Sequence, residues 1–497
     1  MNLKLNSLVA ATLTGWLMMG FGTNAMADKA DSIVNALVKK GLLTEEEGAL
    51  LLKESVDEKE VSDKKKEAVV SAKFKDGLSF ESGDGKFKAQ INGRLHADYR
   101  IFNHNDNSNN TPPAGAGNSI ANTNSVTDTF DIRRARLGFK TTFKEYYSAE
   151  VVGDFSSSAR LDVGYLNIAW WKPVQFRFGQ FKMPMGLEQQ MSSNNIDFME
   201  RSFTDQLAPA KEIGVMVHGT PFTGVTYALA FSNGVNSAGQ NATEGDIRED
   251  GKDVIGRVTA NFAEIMGNKD MVLHAGLAYS QGDLPQGKAG VDGRTEARGA
   301  TFFTAPTLAN TPFKSIDRSR IGVEGAAAYG PFKAQAEWLR ANNDFKTNTR
   351  SYNLDVNNWY AEALWTITGE SYADGYKNGA FGSIKPKADF NPTNFSGGAW
   401  VVGLRYSEFD ASDYDTAGIG QGNGTDANIT TKAKGFAKAN AWTAGVKFLP
   451  TANIRLMLDY VDTTFNDVIG EAAGGVIINN KRVDDEKAVI MRAQWMF

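Results

Sequence analysis

From about residue 87 the chain alternates with period two. Phe87, Ala89, Ile91, Gly93, Leu95, Ala97, Tyr99 and Ile101 are apolar or small, whereas Lys88, Gln90, Asn92, Arg94, His96, Asp98 and Arg100 between them are polar. Unbroken alternation of this length exceeds an ordinary half-buried strand and suits a tilted barrel strand, with lipid on one side and water on the other. The same stripe returns at Met271–Tyr279, Ile321–Tyr329, Phe332–Trp338 and Ile454–Tyr460. Sixteen strands are predicted, near 87–101, 130–143, 147–156, 160–172, 174–181, 211–219, 224–233, 254–263, 270–281, 318–330, 332–341, 357–369, 398–409, 438–449, 452–464 and 487–497. The predicted fold is all-β, a transmembrane antiparallel barrel within residues 73–497.

The connections support this reading. Long segments at 102–129, 182–210, 234–253, 282–317, 410–437 and 465–486 fall on one side, and tight turns at Lys144-Glu145-Tyr146, Pro173, Gly330-Pro331 and Pro450-Thr451 fall on the other. Outer-membrane barrels have short periplasmic turns and long external loops. One connection, 370–397, is long but belongs to the turn side.

The first residues follow other rules. Lys4, the apolar run Leu8–Phe21 and Ala25-Met26-Ala27 make residues 1–27 a secretory signal peptide. In 28–72, Ile33, Ala36 and Leu37 have helical spacing, Gly41 is placed to end that helix, and Thr44 with Glu47 is a capping box for a second. A charge run, Lys53–Glu67, follows. This stretch reads equally as a periplasmic helical or coiled-coil segment that aids trimer formation and as a solvated linker, since no heptad is sustained.

Composition narrows the function. Hydrophobic content is 42% but mean hydropathy is negative, and only the N-terminus approaches the apolar length of a membrane helix. Glycine (50) and aromatics (11%) are plentiful and proline (13) is not, as barrel strands require. There is no cysteine, which excludes thiolate nucleophiles and cysteine zinc sites. A net charge of −5 gives no case for nucleic acid. No hydrolase or cofactor motif is present, so an outer-membrane hydrolase has little support and no cofactor is expected. Asp410, Asp413 and Asp415 are a weak calcium candidate whose spacing misses the EF-hand pattern, and Gly418–Gly424 reads as a flexible loop.

The lumen carries the candidate chemistry. In the second strand Phe130 and Ile132 share one phase while Ala135, Leu137 and Phe139 share the other, so a bulge near Arg133-Arg134 would turn both guanidiniums inward with Arg136. Among strand positions in the inward phase, fifteen are Arg or Lys and nine are Asp or Glu. A positive lumen favours anions. The plain alternative is that these arginines pair with Asp131, Glu150 and Asp154 and merely fill a polar interior.

Three stretches, Phe130–Gly138, Arg177–Glu188 and Ser192–Phe203, resemble the phosphate- and polyphosphate-selective (O/P) porins, as do Gly93–Tyr99, Ala334–Arg340, Thr366–Glu370 and Ile384–Pro386. The likeness runs from about residue 87 to the end, where Met491–Phe497 looks like an outer-membrane assembly signal. It implies a homotrimer in outer-membrane lipid, with 182–210 folded into each barrel as a constriction. Residue by residue it carries over Arg133, Arg134 and Arg201, and Lys346 as a constriction lysine; Arg94, Arg136 and Arg177, from the inward phase, and Lys182 are further pore-lining candidates read from this chain itself. The lysine that follows Gly-Leu-Glu in phosphate-selective members is Gln189 here, and only Arg294 and Arg298 stand where those members carry a run of arginines. The expected function is passive diffusion of small anions, with phosphate or polyphosphate as candidate solutes. A general-diffusion porin without phosphate selectivity and a barrel serving as sleeve for a partner protein are the alternatives.

Overall fold

A computed structural model describes residues 34–53, 70–74, 77–104, 118–121, 126–234, 251–284, 289–308, 316–347, 350–417, 429–470, 474–478 and 481–497. The signal peptide, most of the charge run and Gly418–Gly424 lie outside these. The two short helices form where the spacing predicts, at 34–39 and 45–53. Gly41 ends the first at φ 69°, with Gly41 N–H donating to Val38 and Leu42 N–H to Leu37, a Schellman closure. The Thr44–Glu47 box forms with bonds of 2.9 and 3.2 Å. The Thr44 backbone N–H, then its hydroxyl, hold the Glu47 carboxyl below its ordinary range.

Each of the sixteen predicted barrel strands is present. They are β1 (Phe87–Phe102), β2 (Thr129–Phe143), β3 (Tyr147–Asp154), β4 (Arg160–Trp171), β5 (Val174–Lys182), β6 (Lys211–Phe222), β7 (Val225–Ser232), β8 (Asp253–Asn261), β9 (Met271–Leu284), β10 (Ile316–Tyr329), β11 (Phe332–Lys346), β12 (Ser351–Thr366), β13 (Ala399–Asp410), β14 (Lys434–Thr451), β15 (Ile454–Val468) and β16 (Asp485–Met496). Neighbours in sequence pair antiparallel, and β16 pairs with β1 from Ala488↔Phe102 to Met496↔Arg94, closing the sheet. Closure leaves no free edge, so every ladder group is satisfied within the barrel.

The alternation sorts itself as expected. Leu137, Phe139, Leu277, Val323, Leu404, Leu456 and Leu458 face outward and exposed, while His96, Asp98, Arg100, Glu324, Arg405 and Asp459 face inward and buried. Trp170, Trp171, Trp365 and Trp495 are exposed at the turn ends of their strands, as an interfacial aromatic girdle requires. The hairpin β11–β12 is longer than predicted, with register running to Lys346↔Ser351. Its outward phase becomes polar there, at Arg340, Asn342, Asn353 and Asp355, so the ladder continues where the lipid-facing pattern has stopped.

The seam ends on Phe497. Gly93 and Phe497 exchange backbone hydrogen bonds of 2.9 and 3.1 Å, and a Cβ on Gly93 would stand 2.6 Å from the Phe497 ring. The ring occupies the space that glycine leaves. Deleting Phe497, or replacing Gly93 with Val, should therefore slow barrel closure, read as a lower yield of the heat-modifiable folded band during refolding into detergent. Wild-type folding rates in both variants would show that this contact is incidental.

Candidate functional site: the constriction loop and the basic wall

Residues 183–210, between β5 and β6, turn into the barrel. The loop is apolar where it meets the inside of the sheet: Met183, Met185, Leu187, Phe198, Met199 and Phe203 are all fully buried. Its backbone is held by side chains of the wall. Glu337 on β11 accepts the N–H groups of Leu187 and Glu188 at 2.7 and 2.6 Å, capping a one-turn helix, Leu187–Gln190, at its positive end. Asp459 on β15 accepts Met199 N–H at 2.6 Å, and Asn358 on β12 donates to the Phe203 carbonyl at 2.7 Å.

Three loop acids fix the register of this contact. Asp197 meets Lys333 at 2.5 Å and Lys447 at 3.4 Å. Glu188 meets Arg405 at 3.2 Å. Glu200 gathers Arg133 at 2.7 Å, Arg100 at 2.8 Å and Arg492 at 3.4 Å. A second segment, 289–308 between β9 and β10, also enters the lumen. Its Glu296 bonds Arg405 at 2.6 Å, and Phe302 and Phe303 pack with Phe203 and Phe409 in a dry cluster inside the barrel. The half of the lumen bounded by β10–β16 is thus filled by the chain's own loops.

The other half is open. A cavity of about 980 Å³ runs along β1–β8, and its lining holds eleven Arg or Lys side chains against three carboxylates, Glu150, Asp162 and Asp205. Most of the predicted residues are brought together here. Arg94, Arg133, Arg134, Arg136, Arg177, Lys182, Gln189 and Arg201 all line it, and Arg298 joins them from the second inserted segment. Both Arg133 and Arg134 reach the cavity, while Ile132 and Leu137 on either side of them face out, which is the phase slip read from the sequence.

Within the cluster the arginines differ. Arg136 is paired with Asp154 at 2.9 Å and Asp162 at 2.7 Å, as the structural alternative requires. Arg133 is spent on Glu200 through two bonds. Arg134 is nearly buried, and its Nε and one Nη have no hydrogen-bond partner. Arg177 stacks over Tyr165 at 4.4 Å and donates to Asn167 at 3.2 Å. Lys182 and Arg201 are loop staples as well as lining. Lys182 Nζ donates to the carbonyls of Gln189 and Met191, both at 2.7 Å, and Arg201 donates to those of Glu188 and Met191. Arg94 donates to Ser193 at 2.9 Å.

Two expectations need correction. Lys346 does not reach the pore. It ends β11 in the phase of Trp338 and Phe332, exposed on the outer side of the hairpin. The lumen is also not filled by a free excess of fifteen bases. Lys333, Arg405, Lys447 and Arg492 are buried on Asp197, Glu188, Glu200, Glu296 and Asp98, acids that include loop positions absent from a strand-only count. Sequence reasoning missed the dry cluster, although Leu339, Val356, Phe409 and Phe465 stand in the inward phase, where water alone would not keep them. Asp410, Asp413 and Asp415 do not converge: they accept from Ser412, Asp355 N–H and Gly470 N–H separately. No three metal-binding side chains cluster among the described residues.

A closed sixteen-stranded barrel narrowed by its inward third loop, with a charged cavity beside that loop, defines an outer-membrane porin, a channel and not an enzyme. The family model "Phosphate-selective porin O and P" matches residues 90–497, and the chain belongs to that family. Porin O of Pseudomonas aeruginosa is 27% identical over 455 residues, covering 86% of this chain and 93% of that one. Two solved structures of similar shape are an anion-selective porin from Comamonas acidovorans and the outer membrane channel DcaP of Acinetobacter baumannii. The first matches with TM-score 0.47 and 13% identity over 83% of this chain and 100% of that one. The second matches with TM-score 0.48 and 11% identity over 84% and 99%.

The buried pairs make a stability statement. Arg405→Ala would strand Glu188 and Glu296 without their cation, a cost of about 3–5 kcal/mol. The constriction loop should then be cut by protease in folded barrels that leave the wild-type loop intact. Equal resistance in the variant would show that the apolar contacts alone hold the loop.

Proposed function

We propose that this porin passes small anions, and that they travel along the basic wall rather than down the barrel axis. One observation carries the reading: the open cavity is lined by eleven cationic side chains and three carboxylates, and a cationic excess is left even though Glu200, Asp154 and Glu324 reach Arg133, Arg136 and Arg257 from outside the lining. Arg134 is a candidate contact, because it lines the cavity and none of the carboxylates there claims its Nε or one of its Nη groups, both of which lie buried behind the lining. In a confined passage of low dielectric such an excess admits anions and repels cations. The chain's negative total charge does not oppose this, since it lies largely elsewhere. The family also supports a homotrimer, and the outward apolar belt supports direct contact with outer-membrane lipid.

Phosphate preference is a separate matter. Gln189 is buried in the loop, its amide donating to the Pro209 carbonyl at 3.4 Å, and it brings no charge to the cavity. Lys182, beside it, already donates hydrogen bonds to loop carbonyls. Chloride current should therefore be blocked only weakly by phosphate. Among the described residues, the chain's own segments 183–210 and 289–308 pack inside the lumen, which weighs against the sleeve alternative.

Planar-bilayer recording tests both parts. Replacing Arg133, Arg134 and Arg136 with Glu should reduce or reverse the chloride preference without dissolving the trimer. Gln189→Lys should strengthen phosphate block, because an ammonium in a partly dehydrated site attracts phosphate far more than an amide does. A wild-type pore that prefers potassium would refute the anion reading. Strong block of the wild type, unchanged by Gln189→Lys, would refute the weak-phosphate reading and shift the site to Lys182 and Arg201.

A further inference from the structure

The long connection on the turn side, between β12 and β13, does not stay outside the barrel. Part of it doubles back as a hairpin in which Tyr376–Lys377 pairs with Ala380–Phe381. Asn378 and Gly379 form its tip with φ of 51° and 74°, the consecutive positive values of a type I′ turn. The base of the hairpin is anchored by packing, with Phe381 buried beneath the Lys333 ammonium at 4.3 Å from its ring.

The tip rests on a different wall and is held there by polar contacts. Arg257 on β8 donates to the Gly379 carbonyl at 2.9 Å, and a Cβ on Gly379 would stand 2.7 Å from the Thr259 hydroxyl and 3.1 Å from that of Thr226. Arg257 is itself paired with Glu324 at 2.5 Å. Glu324 also meets His274 Nε2 at 3.0 Å, and His274 Nδ1 meets the Tyr376 hydroxyl at 2.6 Å. One carboxylate thus ties down the tip through Arg257 and the shoulder through His274.

Two cavities meet at this tip. The basic cavity reaches Thr220, Thr226 and Asn378. A second cavity, of about 330 Å³, begins at the same three residues and extends to Asn268 and Lys269 of the β8–β9 turn, at the periplasmic end. We propose that the hairpin is the exit gate of the anion path: its tip stands between the basic cavity and the periplasmic vestibule, and the tether through Glu324 sets the opening by which anions leave. This rests on the reading of the basic cavity as the anion path. The base is anchored by apolar packing, whereas the tip meets the wall through the Arg257–Gly379 hydrogen bond and the shoulder through the hydrogen bond and ring contact of Tyr376 with His274, a geometry that can hinge because such hydrogen bonds exchange with water more readily than buried apolar contacts.

Full-length trimers in planar bilayers provide the test, with single-channel chloride conductance, open-channel noise and reversal potential recorded together. One variant replaces Lys377–Ala380 with two glycines, and its conductance should rise about two-fold as the constriction is removed. The other, Tyr376→Phe, removes only the hydroxyl that His274 holds. It should increase open-channel noise while leaving reversal potential unchanged. Assembled variants with wild-type conductance and noise would overturn the gate, and if the shortened hairpin fails to assemble, unchanged noise in Tyr376→Phe overturns it alone. A cation-preferring reversal potential would refute the anion reading, whereas a conductance rise in the same record would still support an exit gate.

Discussion

The pore depends on where the loop acids find their cations. Glu188, Asp197 and Glu200 stand on the constriction loop, and Arg405, Lys333, Lys447, Arg100, Arg133 and Arg492 stand on the wall. Burying these charges is tolerable only because each is paired and hydrogen-bonded. Their pairing ties the loop to β11, β13, β14 and β16 and, through Arg100 and Arg133, to β1 and β2, and the apolar cluster of Phe203, Phe302, Phe303 and Phe409 packs beside it. Everything else about the passage follows from this asymmetry. On our reading the lumen becomes an off-axis channel whose wall keeps a positive surplus, with Arg133 the lining cation that the loop acid Glu200 takes up.

The barrel and its contents obey separate constraints. Outside, the ladder needs only an apolar phase and a closed seam, and β16 with Phe497 and Gly93 provides the closure. Inside, the inserted segments need partners matched one by one. Glu337 caps the short loop helix, Asp459 holds Met199, and Glu296 shares Arg405 with Glu188. The exterior can therefore drift among apolar residues while the interior network is specific in position and charge.

This division explains what the sequence revealed. Period-two alternation marked all sixteen strands, since a lipid-facing phase is a local pattern, and it lost β11 and β12 only where their outward positions turned polar above the membrane. The Arg133-Arg134 slip was visible because the outward phase changes between Ile132 and Leu137, within a few residues. Pairing across the lumen was not visible. Arg405 and Glu188 are 217 positions apart, and nothing in either neighbourhood announces the other. A strand-only charge count overstated the free positive charge for that reason, and Lys346 was misplaced because an aligned position does not fix which face a side chain takes. The signal that was available and unused lay in the inward apolar residues Leu339, Val356 and Phe465, which in a barrel require protein, not water, against them.

Diffraction from crystals soaked in bromide would test the off-axis path most directly, since anomalous scattering places the anion itself. Bromide is expected along the open wall, beside Arg134, Arg177 and Arg298, and absent from the loop-filled half around Arg405, Lys333 and Lys447. Bromide bound at those paired bases, or rubidium in the basic cavity under the same treatment, would contradict it.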